Sequence, residues 1–156
     1  VALTEVESRS ASDIAHRSIG AVPFVFAVAP EHPLAQEKQP LKVATIRRHR
    51  VVVVADSARA TAPRSSGIVQ TSDVLAVSSM QAKLKAQLAG LGVGFLPEAV
   101  AAKPLLEGRL AALRVAAPKP PVQLSVAWRA SEGGLALSWF VDRLRAIDLS
   151  APSDLE

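Results

Sequence analysis

The residues best suited to chemistry lie in one loop of small hydroxyls and arginines. ADSARATAPRSSGIVQTSD, residues 55 to 73, is rich in Ser, Thr, Ala and Arg and poor in apolar anchors. Ser57, Arg59, Thr61 and Arg64 are its candidate ligand contacts. A guanidinium offers a rigid fork of donors matched to a carboxylate, and a Ser or Thr hydroxyl both donates and accepts. That chemistry is recognition of a small, anionic molecule. A solvated connector has the same composition, and the residues leave both accounts open. Ser79 and Met80 form a second candidate, because a helix start presents free N–H groups and partial positive charge. For the Ser78-Ser79 pair, capping alone is favoured over ligand contact.

Bond-making chemistry finds no support. The three histidines, His16, His32 and His49, have no helical partner at metal spacing, and without cysteine a zinc site lacks its usual ligands. His32, within PEHPL, reads as a turn histidine. There is no G-x-S-x-G elbow, and Asp56 beside Ser57 has no identifiable base. Nothing calls for an enzyme, a metal or a cofactor.

A formal net charge of +4 and a pI of about 10.0 suit a chain that works near nucleic acid. Its one basic cluster, Arg47-Arg48-His49-Arg50, lacks aromatic interleaving and a recognition-helix pattern, so it reads as a strand entry that is solvated or lies along a partner surface, not as a DNA contact. No apolar run is long enough to cross a bilayer, and VALTEVESRS has no basic-then-apolar leader. Absence of cysteine fits a reducing compartment, and the expectation is a cytoplasmic protein without membrane contact.

The elements that must position these residues centre on Val74–Pro97. Val51–Val54, four β-branched residues in succession, is a buried strand, and the loop leaves its carboxyl end, where open α/β sheets bind ligands. Val74–Val77 is a second short strand. Met80, Leu84, Leu88 and Leu91 then recur at helical spacing, with Lys83, Lys85 and Gln87 elsewhere on the wheel. Gly90 suits a helix C-terminus, Val93–Leu96 is a strand, and Pro97 ends it. This β-α-β order places the segment in a parallel sheet. Gly90-Leu91-Gly92-Val93-Gly94 is not a nucleotide loop, since its glycines close a helix and open a strand, the reverse of the phosphate-binding polarity.

Elsewhere, Val1–Ser8 and Ala15–Gly20 are expected as strands with loop between, and Pro23–Ala29 as a strong strand. Pro40–His49 is expected as a short helix and Pro97–Leu106 as another. Glu107–Leu110 should turn into a strand LAALRV, AAPKPP is a connector, and Val122–Trp128 alternates as a strand. The last helix, Leu135–Ile147, carries Leu137, Phe140, Leu144 and Ile147 on one stripe beside Trp139.

AKLKAQLAGLGVGFLPEAVAAKPLLEGRLAAL resembles the effector-binding domain of LysR-type transcriptional regulators. So do VPFVFAVAPEHPLA, from Val22 to Ala35, and VQLSVAWR, from Val122 to Arg129. The resemblance runs from about residue 16 to 147 and is specific as a set. It implies an α/β, periplasmic-binding-protein-like fold of two α/β lobes joined by crossover strands, with a small-molecule effector in the cleft between them. One lobe would span residues 22–117, residues 1–21 and 118–150 would be remnants of the other, and 151–156 a tail. Ser57–Thr61 falls at the family's effector loop and Ser79-Met80 at the matching helix start. The family's pattern like GRADLAIG is missing, so one lobe is expected to be incomplete, with residues lacking near 8–12 and the opposite pocket wall without a counterpart.

The resemblance further implies a homodimer or tetramer that reaches DNA only through a helix-turn-helix domain not present in this chain. Effector binding would shift the geometry of the attached DNA-binding domains. The alternative on the same fold is a solute-binding protein of a transporter.

Overall fold

The computed structural model describes residues 2–4, 14–55, 73–129, 131 and 134–146. In chain order the elements are β1 (Ala2–Thr4), β2 (Ile14–Val22), β3 (Phe24–Val28), α1 (Val43–Ile46), β4 (Val51–Val54) and β5 (Val74–Val77). They continue with α2 (Met80–Leu88), β6 (Gly94–Pro97), α3 (Glu98–Leu106), β7 (Ala111–Ala112), β8 (Val122–Arg129) and α4 (Leu135–Arg145). The chain forms two compact units, one of Phe24–Pro120 and one from the described parts of Val1–Pro23 and Pro121–Ala151.

In the Phe24–Pro120 unit, β4 and β5 pair in parallel, and a parallel bridge from Val51 to Val93 ties β4 to the start of β6. β3 lies between β6 and β7, antiparallel to both. The strand succession is therefore β5-β4-β6-β3-β7, with β3 alone reversed. The β5-α2-β6 segment is the parallel crossover expected from its sequence, but the sheet as a whole is mixed. Each helical connection skips one strand: α2 carries the chain past β4 and α3 past β3, so the flanking strands of each pair run the same way.

Alternation along β3 and β6 divides their side chains between two faces. Phe26 and Phe95 meet edge to face, ring centroids 5.3 Å apart, within a core that includes Val28, Leu34, Leu41, Ile46, Val51, Val93 and Leu113. Ala27 and Leu96 join a second core with Ala101 and Leu110, against which Met80, Leu84 and Leu88 of α2 pack.

The ends of α2 follow from its sequence. Ser79 is the N-cap, with φ −152° and ψ 162°, and its hydroxyl accepts the Ala82 N–H at 3.1 Å. Gly90, at φ 69°, donates to the Gln87 carbonyl while Leu91 donates to that of Ala86, the paired bonds of a Schellman ending. Its faces differ from expectation. Lys83, Ala86 and Gln87 are the helix's buried residues, whereas Leu91 is 52% exposed. An α-helix lying on a sheet buries a wide arc, and here the arc extends beyond the leucine stripe.

Other segments also depart from the sequence reading. Residues 40–49 form only the single turn α1, since Val43, Thr45 and Ile46 are β-branched and poor helix formers. The turn expected at His32 is a 3-10 turn over Pro33–Gln36, with His32 as its cap. The strand after Leu110 is limited to β7 and one bridge, Leu41 to Val115. β2 begins at Ile14, inside a stretch expected as loop, and runs through Val22.

The other unit is a three-stranded antiparallel sheet, β1-β8-β2, with a register shift between Ser18 and Gly20. α4 covers it through Val141, which packs with Ile19 and Val126, flanked by Leu124, Trp128, Leu137 and Leu144. The expected stripe is corrected at one position. Val141 is the buried residue, while Phe140 and Trp139 are exposed, because 137, 141 and 144 share one face at i, i+4 and i+7. Ile147 lies outside the described residues.

Candidate functional site

β4 and β5 end level with each other, Val54 opposite Val77, and Ala55 donates its N–H to the Val77 carbonyl at 2.8 Å. The segment carrying the polar candidates therefore departs from β4 next to the Ser78-Ser79 entry into α2. Parallel strands whose carboxyl ends coincide at a helix start form the kind of sheet edge where α/β proteins take ligands. At the opposite end of the pair, Arg50 Nε donates to Asp73 Oδ1 at 2.8 Å, and Val51 donates to the Asp73 carbonyl at 3.0 Å. The ion pair holds the Arg50 guanidinium above its ordinary range through the hydrogen bond first and the Asp73 charge second.

Of the six candidate residues, Ser57, Arg59, Thr61 and Arg64 lie outside the described residues. Ser79 is exposed, with its Oγ already accepting from Ala82, so a ligand there would meet the hydroxyl proton and the first N–H groups of α2. Met80 is half-buried and packs on the Ala27–Leu96 core.

Lys83 and Gln87 were missed as functional candidates. Both converge on Gly94 of β6: a Cβ built there would lie 3.2 Å from Gln87 Nε2, 3.4 Å from Lys83 Nζ and 3.2 Å from the Val52 carbonyl oxygen. Burial, reinforced by the charge of Lys119, pushes the Lys83 ammonium down to about 8. Lys119 in turn sits over the Phe24 ring, 3.9 Å from its centroid. The available signal was a Lys and a Gln at i, i+4 on a helix, facing a strand that carries glycine where a side chain belongs.

His32 is placed as a turn residue: its Nδ1 accepts the Leu34 N–H at 3.2 Å. Its ring meets that of His49 edge to face, and burial followed by the His49 charge lowers its basicity. Among the described residues no group of three or more His, Cys, Asp or Glu could hold a metal ion. Nor is any helix among them long and apolar enough to cross a membrane.

The family model described as LysR substrate binding domain matches residues 1–147. The chain is 36% identical over 140 residues to the uncharacterized HTH-type transcriptional regulator YeeY of Escherichia coli strain K12, covering 90% of this chain and 45% of that protein. It thus spans less than half the length of this relative. The fold is shared with the regulatory domain of MetR, a LysR family regulator from N. meningitidis, at TM-score 0.69 and 17% identity over 92% of this chain and 69% of that one. The effector binding domain of BenM with its effector benzoate superposes at TM-score 0.64 and 14% identity, over 92% of this chain and 66% of that one. These likenesses establish an α/β, periplasmic-binding-protein-like architecture.

Proposed function

The chain belongs to the LysR substrate-binding domain family, a family of transcriptional regulators rather than enzymes, and from that premise we propose that it is the effector-binding and oligomerisation domain of a bacterial transcriptional regulator. The observation that carries the reading is the family match over residues 1–147, shared with relatives that are HTH-type regulators. Those relatives favour a regulator over the transporter alternative. The protein works in the cytoplasm and performs no catalysis of its own.

A small anionic effector binds where β4 and β5 end, contacting Ser57, Arg59, Thr61 and Arg64 of the loop and the α2 start at Ser79 and Met80. Benzoate, the effector of BenM, is a carboxylate, and the arginines of this loop suit such a group. The domain pairs as a homodimer or a tetramer, with DNA held by a helix-turn-helix domain elsewhere in the longer protein. An effector that prefers one arrangement of the oligomer shifts its population and thereby the geometry of the attached DNA-binding domains.

The test is a calorimetric screen of small carboxylates against the protein, repeated with Ser57→Ala, Arg59→Ala and Ser79→Ala. Weaker binding with an unchanged fold supports the assignment. Equal affinity in all three variants removes these residues from the site.

A further inference from the structure

A cleft of about 510 Å³ opens beside α1, lined by Lys38, Gln39, Pro40, Lys42, Thr45 and Ala116. That volume falls within the roughly 300–1,000 Å³ of small-molecule sites. Hydrogen bonds between distant segments fix its backbone. Leu41, 1% exposed, donates its N–H to the Arg114 carbonyl at 2.8 Å and accepts the Ala116 N–H at 2.8 Å. Gln39 Oε1 accepts the Arg114 N–H, also at 2.8 Å. That bond settles which way the amide is turned: its oxygen is engaged, and its NH₂ is left to donate. The polar groups of the cleft therefore rest on a frame that is in place before any ligand arrives.

The charge of the lining is one-sided. Lys38 and Lys42 are exposed, no carboxylate lines the cleft, and neither lysine pairs with one among the described residues. Thr45 adds a hydroxyl and Gln39 its NH₂, while Pro40 and Ala116 supply an apolar wall. A cation would meet two like charges here, and an apolar molecule would leave the donors to water. An anion on a short carbon body answers both. The kind of cation narrows the kind of anion. The fork of an arginine matches a planar carboxylate, whereas a lysine is a compact point charge that meets a tetrahedral phosphate from any side. We propose that this cleft binds the phosphate group of a small molecule, with Lys38 and Lys42 balancing its charge and Gln39 and Thr45 donating to its oxygens. The site goes beyond the effector reading, shares no residue with it and takes a different anion. The phosphate belongs to an organic monoester or is free inorganic phosphate, and the two share this chemistry.

The experiment is a ¹H–¹⁵N NMR titration of the whole protein with glycerol 2-phosphate, inorganic phosphate and succinate in turn, above the second phosphate pKa of about 6. Sodium chloride at matched ionic strength is the control for screening. The expected result is a saturable shift of the Gln39, Leu41, Thr45 and Ala116 amide signals with phosphate, several-fold weaker binding of succinate, and no saturable shift with chloride. The double variant Lys38→Ala with Lys42→Ala, at two exposed positions, should bind phosphate several-fold more weakly. Gln39→Glu keeps an oxygen for the Arg114 N–H but exchanges the donating NH₂ for negative charge, so it should abolish the response in a protein that still folds. Amide signals that ignore both phosphates, or that respond to chloride alike, overturn the proposal and leave two solvated lysines. So does an affinity unchanged in the double variant. Succinate bound as tightly as the phosphates overturns the choice of phosphate.

Tighter binding of glycerol 2-phosphate than of inorganic phosphate identifies an organic ester as the source, and equal affinity identifies free phosphate. A carboxylate effector whose affinity falls in Ser79→Ala, in a protein whose cleft ignores both phosphates, retains the effector reading and removes this site alone.

Discussion

The rings of His32 and His49 meet edge to face with centroids 5.0 Å apart, and His32 Nδ1 accepts the Leu34 N–H. That acceptor role requires an unprotonated Nδ1, so the turn at Pro33–Gln36 is capped only by neutral His32. Burial first and His49 second hold His32 below its ordinary value of 6.5. The unfolded chain therefore takes up this proton first as the pH falls. Stability is complete above pH 6.5, declines as the pH drops through 6.5 towards the lowered value, and levels off below it. Chemical denaturation between pH 7.5 and 5 should show this limb. His32→Asn, which keeps a capping acceptor and cannot titrate, should flatten it; an unaltered slope in that variant places the effect elsewhere.

Lys83 titrates in the opposite part of the pH range with the same sign. Its folded value of about 8 lies below the unfolded 10.5, so the unfolded state binds more protons between them, and stability rises with pH across that window. Lys83→Met should be more stable than the parent at pH 7, by up to about 3 kcal/mol, and should lack the alkaline rise. Paired urea midpoints at pH 7 and pH 10 decide it. Equal pH dependence in the two proteins refutes the assignment.

Two glycines separate steric from conformational effects. A Cβ at Gly92 would lie 2.8 Å from the Arg50 carbonyl oxygen and 2.9 Å from Val52 Cγ2, so backbone must move. Gly92→Ala should fall at the upper end of the about 1–3 kcal/mol seen for overpacking. Gly108 has open space around it but φ +67°, and Gly108→Ala should lose about 1–2 kcal/mol from left-handed strain alone. Thermal denaturation of both variants checks the order, and a Gly92→Ala protein as stable as the parent contradicts the close approach of β6 and β4.

Ser79 combines a structural role with a proposed functional one, and the two can be separated. Ser79→Ala removes the acceptor for the Ala82 N–H and should cost about 1 kcal/mol. Ser79→Asp should restore the cap and the stability. If Ser79→Asp also recovers effector affinity, the serine acts only by capping; if affinity stays low, its hydroxyl or the local charge matters to the ligand.

Phe26→Ala probes the first core. The ring is almost fully buried and meets Phe95 edge to face, so its truncation should cost about 3–5 kcal/mol. Phe26→Leu, which retains most of the volume, should lose far less. Similar losses in the two would mean that the ring contact rather than packing dominates.

Features encoded within a few residues were legible in the sequence. Val51–Val54 is a strand because four β-branched side chains crowd any helix, and Ser79 and Gly90 bound α2 because a cap hydroxyl and a left-handed glycine act on backbone groups three to five residues away. The family resemblance rested on these same local signals, strung in a specific order. Of the candidate site, the sequence singled out Ser79 and Met80 among the described residues but passed over Lys83 and Gln87. Whether a helix position faces solvent or core is not a property of the helix: it depends on what stands opposite. Gly94, close to Lys83 in space but eleven residues along the chain, leaves room for a lysine and a glutamine that the hydrophobic pattern of α2 assigned to the outside. The reversal of β3, and the burial of Val141 in place of Phe140, were decided in the same way, by pairing and packing between segments distant in sequence.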